Sequence, residues 1–236
     1  MKLPKIDKPV FTLLVPSQKT TVMCRPYVCK EEKILLIAQE SGEEKDIVLA
    51  LKQVLNNCII DETFDIDSIT TFDLEYMFLK LRAKSVNNIV SIKYRDQDDD
   101  EVYEFQVNLD TVEMLNTDEF NDTIMINETT GLQMKYPSIT ILDDAPSASS
   151  QAELIDYLVK SCIKSIFDEE NVYPIEDISA EELQTFLDDL PVSVLNDLTT
   201  FFKNLPRMYH KLEYTNKAGE EKAIELRNLR DFFTLG

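Results

Sequence analysis

Residues 9–84 read PVFTLLVPSQKTTVMCRPYVCKEEKILLIAQESGEEKDIVLALKQVLNNCIIDETFDIDSITTFDLEYMFLKLRAK, and this stretch decides the fold. Runs rich in β-branched and aromatic residues at 10–16 and 21–25 predict a β-hairpin with its turn at 17–20. Apolar residues then recur at helical spacing over 30–41 and 43–58. Gly42 between the two runs is typical of a helix end.

A third helix is predicted after the acidic connector at residues 61–69. Thr71 is a suitable helix cap, and the apolar positions that follow fall on one helical face. The face is formed by Leu74, Met77, Phe78 and Leu81. Basic residues at the end of this segment suit the negative end of a helix dipole.

Residues 88–142 change from helical to strand periodicity. Alternation over 89–94 and 102–107 predicts a hairpin whose polar tip, 95–101, is expected to be exposed to solvent. Shorter strands are predicted at 125–127, 132–136 and 139–142. The sequence therefore predicts a small antiparallel β insert with an acidic tip.

The remainder is predicted to be mostly helical and to end in a hairpin. One helix is expected to carry Leu154, Leu158, Cys162 and Ile166 on a single face. Ser179 and Glu182 have the spacing of a capping box, and a further helix is expected over 192–204. Strands at 209–215 and 222–226 flank a turn.

Together these patterns predict an α+β protein in three parts. The expected parts are an N-terminal hairpin and helical unit (1–87), the acidic β insert (88–145) and a helical C-terminal unit with a terminal hairpin (146–236). The linker-like segment at 143–150, DDAPSASS, marks the second boundary.

Charge is distributed unevenly along the chain. The net charge of −20 comprises +1 over residues 1–95, −13 over 96–145 and −8 over 146–236. An acidic surface repels phosphate backbones, so nucleic-acid binding is disfavoured and a basic protein partner is favoured. The acidity also has a plain interpretation as an aid to solubility. The chain lacks an apolar run of membrane-spanning length, so no membrane association is expected.

No residue pattern points to catalysis, to a metal site or to a cofactor. The four cysteines and the single histidine, His210, do not make a complete zinc set, and reduced core cysteines are expected. Asp96, Asp98 and Asp100 match the first positions of a calcium loop, but Glu101 replaces its glycine and Val107 its last ligand. A metal-dependent hydrolase therefore stays a remote alternative.

Short motifs near both ends of the chain resemble the small baseplate hub subunit family of T4-like contractile-tailed bacteriophages. The matching pieces are Pro9-Val-Phe, Arg25-Pro26-Tyr27, Lys30-Glu31-Glu32-Lys33, Asn56-Asn57-Cys58, Phe72-Asp73-Leu74-Glu75-Tyr76, Leu81-Arg82-Ala83-Lys84-Ser85 and residues 209–233. The resemblance implies a non-enzymatic role in tail morphogenesis, as a hub subunit or hub assembly factor. A chaperone of the tape-measure protein, absent from the mature particle, is a close alternative.

The resemblance also implies partners and a location. Other baseplate hub or tape-measure proteins are the expected partners, in the host cytoplasm during assembly and in the tail baseplate if the protein is retained. The sequence leaves the oligomeric state open. A basic segment with paired aromatics in the acidic C-terminal half suggests the contact surface. The residues proposed for this surface are Phe202, Lys203, Arg207, Lys211 and Phe233.

Overall fold

A computed structural model describes residues 6–117, 122–143 and 151–233 of the protein. It confirms the predicted α+β class. A few side chains lie outside the described part: those of Glu44, Leu142, Asp143, Gln151, Ala152 and Phe233.

Helices and antiparallel strands alternate along the described chain. The helices are α1 Cys29–Ser41, α2 Glu44–Cys58, α3 Thr71–Ser85, α4 Ile139–Asp143, α5 Gln151–Cys162, α6 Ala180–Asp188, α7 Val192–Lys203 and α8 Leu229–Phe233. The strands are β1 Phe11–Val15, β2 Thr20–Cys24, β3 Ile89–Arg95, β4 Val102–Asn108, β5 Glu113–Leu115, β6 Thr123–Met125, β7 Gly131–Met134, β8 Ile163–Phe167, β9 Val172–Pro174, β10 Arg207–Thr215 and β11 Glu221–Leu226.

Contacts divide the chain into two compact units. The first unit comprises residues 1–115 and 207–236, and the second comprises residues 116–206. The three-part division expected from the sequence stays a prediction, and most of its linker, 144–150, lies outside the described residues.

The first unit begins with the predicted hairpin and three helices. The β1–β2 pair is antiparallel and buries Leu13, Val15, Val22 and Cys24 on its inner face. Gly42 ends α1 at a φ of 71°, a left-handed conformation that glycine adopts without strain.

Thr70 caps α3, one residue before the position expected from the sequence. Its Oγ1 accepts the N–H of Asp73 at 3.1 Å, and Asp73 accepts the N–H of Thr70 at 2.9 Å. The second oxygen of Asp73 accepts the N–H of Ser17 at 2.8 Å. The buried capping box therefore also fastens the turn of the first hairpin to α3.

The predicted apolar face of α3 is confirmed, and the burial extends further round the helix. Leu74, Met77, Phe78 and Leu81 are all buried, and so is Leu79 on another face. A helix that is apolar on several faces belongs in the middle of a core.

Lys80 on α3 fastens the turn that follows β4. Its Nζ donates to the backbone oxygens of Leu109, Asp110 and Val112 at 2.8, 2.9 and 2.9 Å. Burial lowers the pKa of this ammonium group. Its three donors are nevertheless all used, which offsets part of the cost of burying a charge.

The strands observed within 88–142 pair antiparallel in three different sheets, and one of them, β5, is not predicted by the sequence pattern. β3 pairs with β4 alone, whereas β5 joins β10, which pairs with β11 on its other side. β6 and β7 form a four-stranded sheet in the order β6-β7-β8-β9 within the second unit. Pairing partners distant in sequence therefore divide what the sequence pattern presents as one insert.

Two predictions for the second unit are wrong. The expected strand at 139–142 is helix α4, which begins directly after Ser138, a residue type favoured at the N-terminal cap of a helix. The helix expected to extend to Ile166 ends at Cys162, and Ile163–Phe167 forms β8 in the interior of the sheet. The four-residue apolar spacing continues across this boundary, so helical periodicity alone does not reveal it.

Gly131 lies at a close approach within this sheet. A Cβ atom there would lie 2.5 Å from Cζ of Phe167 and 2.9 Å from the backbone oxygen of Ile124. Phe167 is the direct partner of Gly131 on β8. The glycine leaves room for the ring to cover the strand.

The predicted capping box and the last hairpin are confirmed. Ser179 Oγ accepts the N–H of Glu182 at 3.3 Å at the start of α6. β10 and β11 form six residue pairs, from His210 opposite Leu226 to Thr215 opposite Glu221.

Candidate protein-binding surface

The motifs that carry the family resemblance converge around Arg25 in the first unit. Its Nη2 donates to Glu31 Oε1 at 3.0 Å and to the backbone oxygen of Asn57 at 2.8 Å. Its Nη1 lies 3.6 Å from Cys58 Sγ. Burial opposes ionisation of Glu31, but the bonds from Arg25 and from the N–H of Val28 outweigh it, so the carboxyl pKa is lowered. One ion pair thus joins the end of β2, the start of α1 and the end of α2.

A second group of motif residues joins the end of the first hairpin to α3. The N–H of Tyr27 donates to Ser85 Oγ at 3.0 Å. The ring of Tyr27 is stacked on Phe78, with centroids 6.4 Å apart and planes inclined by 2°. These motif residues therefore hold the fold together, which agrees with reading them as structural signatures.

Phe202 and Lys203 of the proposed C-terminal surface lie at the end of α7 in the second unit. Phe201 is buried, and the half-buried ring of Phe202 meets it edge-on at a centroid distance of 5.2 Å. Phe202 packs against the core formed by α5, α6, α7 and the four-stranded sheet. Lys203 is exposed in the last turn of α7, where its charge suits the helix dipole.

Arg207 and Lys211 lie on β10 in the first unit. Arg207 is half-buried opposite Leu115, and within the described part of the chain its buried Nε has no hydrogen-bond partner. Lys211 is exposed and forms an ion pair with Glu213 at 2.6 Å, which raises the lysine pKa. Glu225 is the cross-strand partner of Lys211, so acidic groups already surround this lysine.

The fifth residue, Phe233, ends α8, and its side chain lies outside the described residues. Its neighbour Phe232 is buried. The structure thus assigns Phe202 and Lys203 to one unit and Arg207, Lys211 and Phe233 to the other. A joint surface formed by all five stays a prediction.

The acidic hairpin tip corrects an expectation from the sequence. Asp98 and Asp100 are exposed, but Asp96 is only 3% exposed. Asp96 accepts the Tyr214 hydroxyl at 2.8 Å and the Lys222 ammonium at 3.0 Å. The tip of β3–β4 is therefore joined to β10–β11 through Asp96, whereas Asp98 and Asp100 stay exposed as expected. We call the contacts between the two hairpins the hairpin clasp.

A second carboxylate completes the hairpin clasp. Asp99 accepts the Tyr103 hydroxyl at 2.6 Å and the N–H of Lys217 at 3.2 Å. Tyr103 also lies against Tyr214, with ring centroids 4.6 Å apart. Burial, followed by the bond to Asp96, raises the pKa of Tyr214 to about 12. Tyr103 and Phe105 occupy alternate positions of β4 and both contact Tyr214, so this pair of aromatics is the sequence signal for a shared face.

Two of the aspartates that have the spacing of a calcium loop bind a lysine side chain of the protein itself. Lys222 Nζ bonds to both Asp96 and Asp98. The N–H of Asp98, together with Lys222 and Tyr214, lowers the pKa of Asp96. Among the residues that the structure describes, no group of three or more His, Cys, Asp or Glu side chains is placed to hold a metal ion.

The three buried thiols and the histidine are in environments that disfavour their charged forms. Burial raises the pKa of Cys24 to about 12 and those of Cys58 and Cys162 to about 11. These three are buried as expected, whereas Cys29 is exposed at the start of α1. Burial also lowers the pKa of His210 on β10. The three buried cysteines therefore remain thiols at neutral pH and are poor nucleophiles.

Across the described ranges, none of the helices combines the length and apolarity that crossing a bilayer requires.

Of the comparisons with family models, curated proteins and solved structures, the first gives a match. The model of the family described as T4 bacteriophage base plate protein matches residues 8–234. No curated protein and no solved structure gives a significant match. The matched range covers nearly the whole chain and includes the Arg25 ion pair, the hairpin clasp and α7. The chain belongs to the T4 bacteriophage base plate protein family.

Proposed function

We propose that this base plate family protein is a non-enzymatic hub subunit or hub assembly factor that acts through protein–protein contacts. The observation that carries the proposal is the family match over residues 8–234. Its partners are other hub or tape-measure proteins, met in the host cytoplasm during assembly and in the tail baseplate.

The side-chain chemistry supports a structural role. Among the described residues the buried carboxylates all hold the fold: Glu31 in the Arg25 ion pair, Asp73 in a helix cap and Asp96 in the hairpin clasp. Catalytic groups instead need a substrate within reach of their reactive atoms.

The number of copies of this chain per particle distinguishes a hub subunit from a hub assembly factor. Purified mature particles and baseplate intermediates are compared by quantitative mass spectrometry for the number of copies of this chain. A fixed copy number in mature particles identifies a subunit. Presence in intermediates alone identifies an assembly factor. Co-purification with the tape-measure protein, and not with hub intermediates, would overturn the hub assignment and favour the chaperone alternative.

The C-terminal residues are tested with charge reversals that leave the fold intact. Lys203 and Lys211 are exposed, so Lys203→Glu with Lys211→Glu should melt near the parent temperature and reduce incorporation into hub intermediates. The matched control reverses Lys45 and Lys164, which are also exposed and lie outside both proposed surfaces. Equal incorporation of both double variants would remove the C-terminal lysines from the contact surface. Arg207→Glu with Phe233→Ala then tests two of the three remaining residues by the same assay.

A further inference from the structure

The N-terminal hairpin has one open edge. β1 pairs with β2, and within the described residues no strand pairs with the other side of β1. The far side of β2 is covered, because Cys24 bridges to Ile59 and the N–H of Ile60 donates to the backbone oxygen of Met23 at 2.8 Å. Alternate residues of an edge strand direct N–H and C=O groups outward, which form a template for another strand.

The outer face beside this edge is apolar. Val10 is 58% exposed, Leu14 43%, Met23 51% and Ile60 44%. Met23 lies opposite Thr12 in the hairpin register, and the bond between Ile60 and Met23 extends the patch across β2. Apolar side chains that are exposed together in this way indicate an interaction surface.

Features that normally prevent an edge strand from pairing with another chain occur only at the two ends of β1. Charged side chains and prolines normally block edges, but residues 10–15, VFTLLV, contain neither. Pro9 and Pro16 flank this run and stop strand pairing from extending further. The open edge therefore accepts about six residues, or roughly 20 Å of extended chain.

Charge identifies the kind of occupant. Residues 6–30 have three exposed lysines, Lys8, Lys19 and Lys30, and one exposed acidic residue, Asp7, while the whole chain carries a net charge of −20. Two copies of the hairpin side by side would bring two positively charged segments together, which disfavours self-pairing. An acidic segment of another protein is attracted to the same edge.

We propose that the open edge of β1 binds an extended segment of another protein by adding it as a strand to the hairpin. The segment has alternating apolar side chains that cover Leu14 and Met23, and acidic residues flank them. Main-chain hydrogen bonds supply affinity in this mode, and alternate side chains supply specificity. This surface includes none of the five proposed C-terminal residues and does not depend on the hub assignment.

The test uses the full chain and a labelled peptide, DEVTVTVED, in a fluorescence anisotropy titration. The peptide should bind saturably. KKVTVTVKK should bind at least about tenfold more weakly because its charge is reversed, and a version with alternate backbone N–H groups methylated should lose binding. Leu14→Glu should weaken binding of DEVTVTVED about tenfold by adding a like charge to the apolar patch.

Two hairpin variants, one control variant and a sedimentation measurement of the oligomeric state complete the test. Leu14 and Met23 are exposed, so Leu14→Glu and Met23→Glu should retain the parent circular dichroism spectrum. Val192→Glu, at a residue that is 76% exposed on α7, should bind the peptide like the parent. No saturable binding up to about 1 mM, equal binding of the two peptides, or binding unchanged in both hairpin variants would overturn the proposal. Sedimentation that shows a dimer abolished by Leu14→Glu would instead assign the edge to a second copy.

Discussion

Replacing Phe78 with alanine tests whether α3 is the centre of the first unit. Phe78 is 5% exposed, and its ring is stacked on that of Tyr27 at 6.4 Å. Removal of the ring leaves a cavity between α3 and the segment after β2, and Tyr27 loses its aromatic partner. Met77 and Leu79 beside it are fully buried, so the surrounding side chains have little room to collapse into the gap.

The expected loss of unfolding free energy is large. Phe→Ala substitutions in cores cost roughly 3–5 kcal/mol, and the ring pair accounts for about 0.5–1.5 kcal/mol of such a total. Phe78→Leu keeps most of the volume but not the ring pair, so it should cost about 1 kcal/mol. With a urea slope of roughly 2–3 kcal/mol per molar, Phe78→Ala should lower the midpoint by roughly 1–2.5 M.

Urea unfolding followed by circular dichroism measures these losses, and hydrogen exchange of peptides from α3 locates them in the first unit. Val86→Ala is the matched control because Val86, just after α3, is 60% exposed. Its unfolding free energy should change by less than about 0.5 kcal/mol. A loss below about 1 kcal/mol for Phe78→Ala would refute the core position. If this variant also failed to bind hub proteins, the face would be an interface instead.

Further changes test the sheet, the hairpin clasp and metal dependence. Gly131→Ala should destabilise the second unit by about 1–3 kcal/mol in thermal unfolding, because the new Cβ overlaps Phe167, and adding Phe167→Ala should recover part of that loss. The bonds to Asp96 lower its pKa below the ordinary 3.8, so their contribution to stability is present above that value and is lost as the pH falls through the lower folded-state pKa. Asp96→Asn should therefore reduce the acid-induced fall in melting temperature, whereas Asp100→Asn, at an exposed residue, should leave it unchanged; identical pH profiles would contradict the clasp. EDTA should not change the melting temperature, and a metal-dependent rise of several degrees would contradict this.

Local signals predicted the elements of the first unit well. Apolar spacing, Gly42 and the basic end of α3 define helices that the structure confirms to within about two residues. The hairpins at both ends were also found, because each combines strand-forming residues with a short polar turn.

The errors occur where partners distant in sequence decide the structure. β8 continues the apolar spacing of α5, and only its pairing with β7 and β9 makes it a strand. Asp96 was expected in solvent because its neighbours are acidic, but its partners Tyr214 and Lys222 lie more than a hundred residues along the chain. A single sequence shows the acidic run and not the cation that compensates it.

The same reasoning applies to the proposed contact surfaces. The sequence predicts that Lys211 contacts a partner, but Glu213 already pairs with it, so a partner must compete with an existing ion pair. A partner breaks no ion pair when it covers Leu14 and Met23, because burying their exposed apolar area only releases water. Apolar anchors account for more of the binding energy than rim charges in most interfaces. We therefore expect Leu14→Glu to impair partner binding more strongly than Lys211→Glu does. If Lys211→Glu impaired partner binding more than Leu14→Glu in the same assay, the main contact surface would be the C-terminal hairpin, β10–β11.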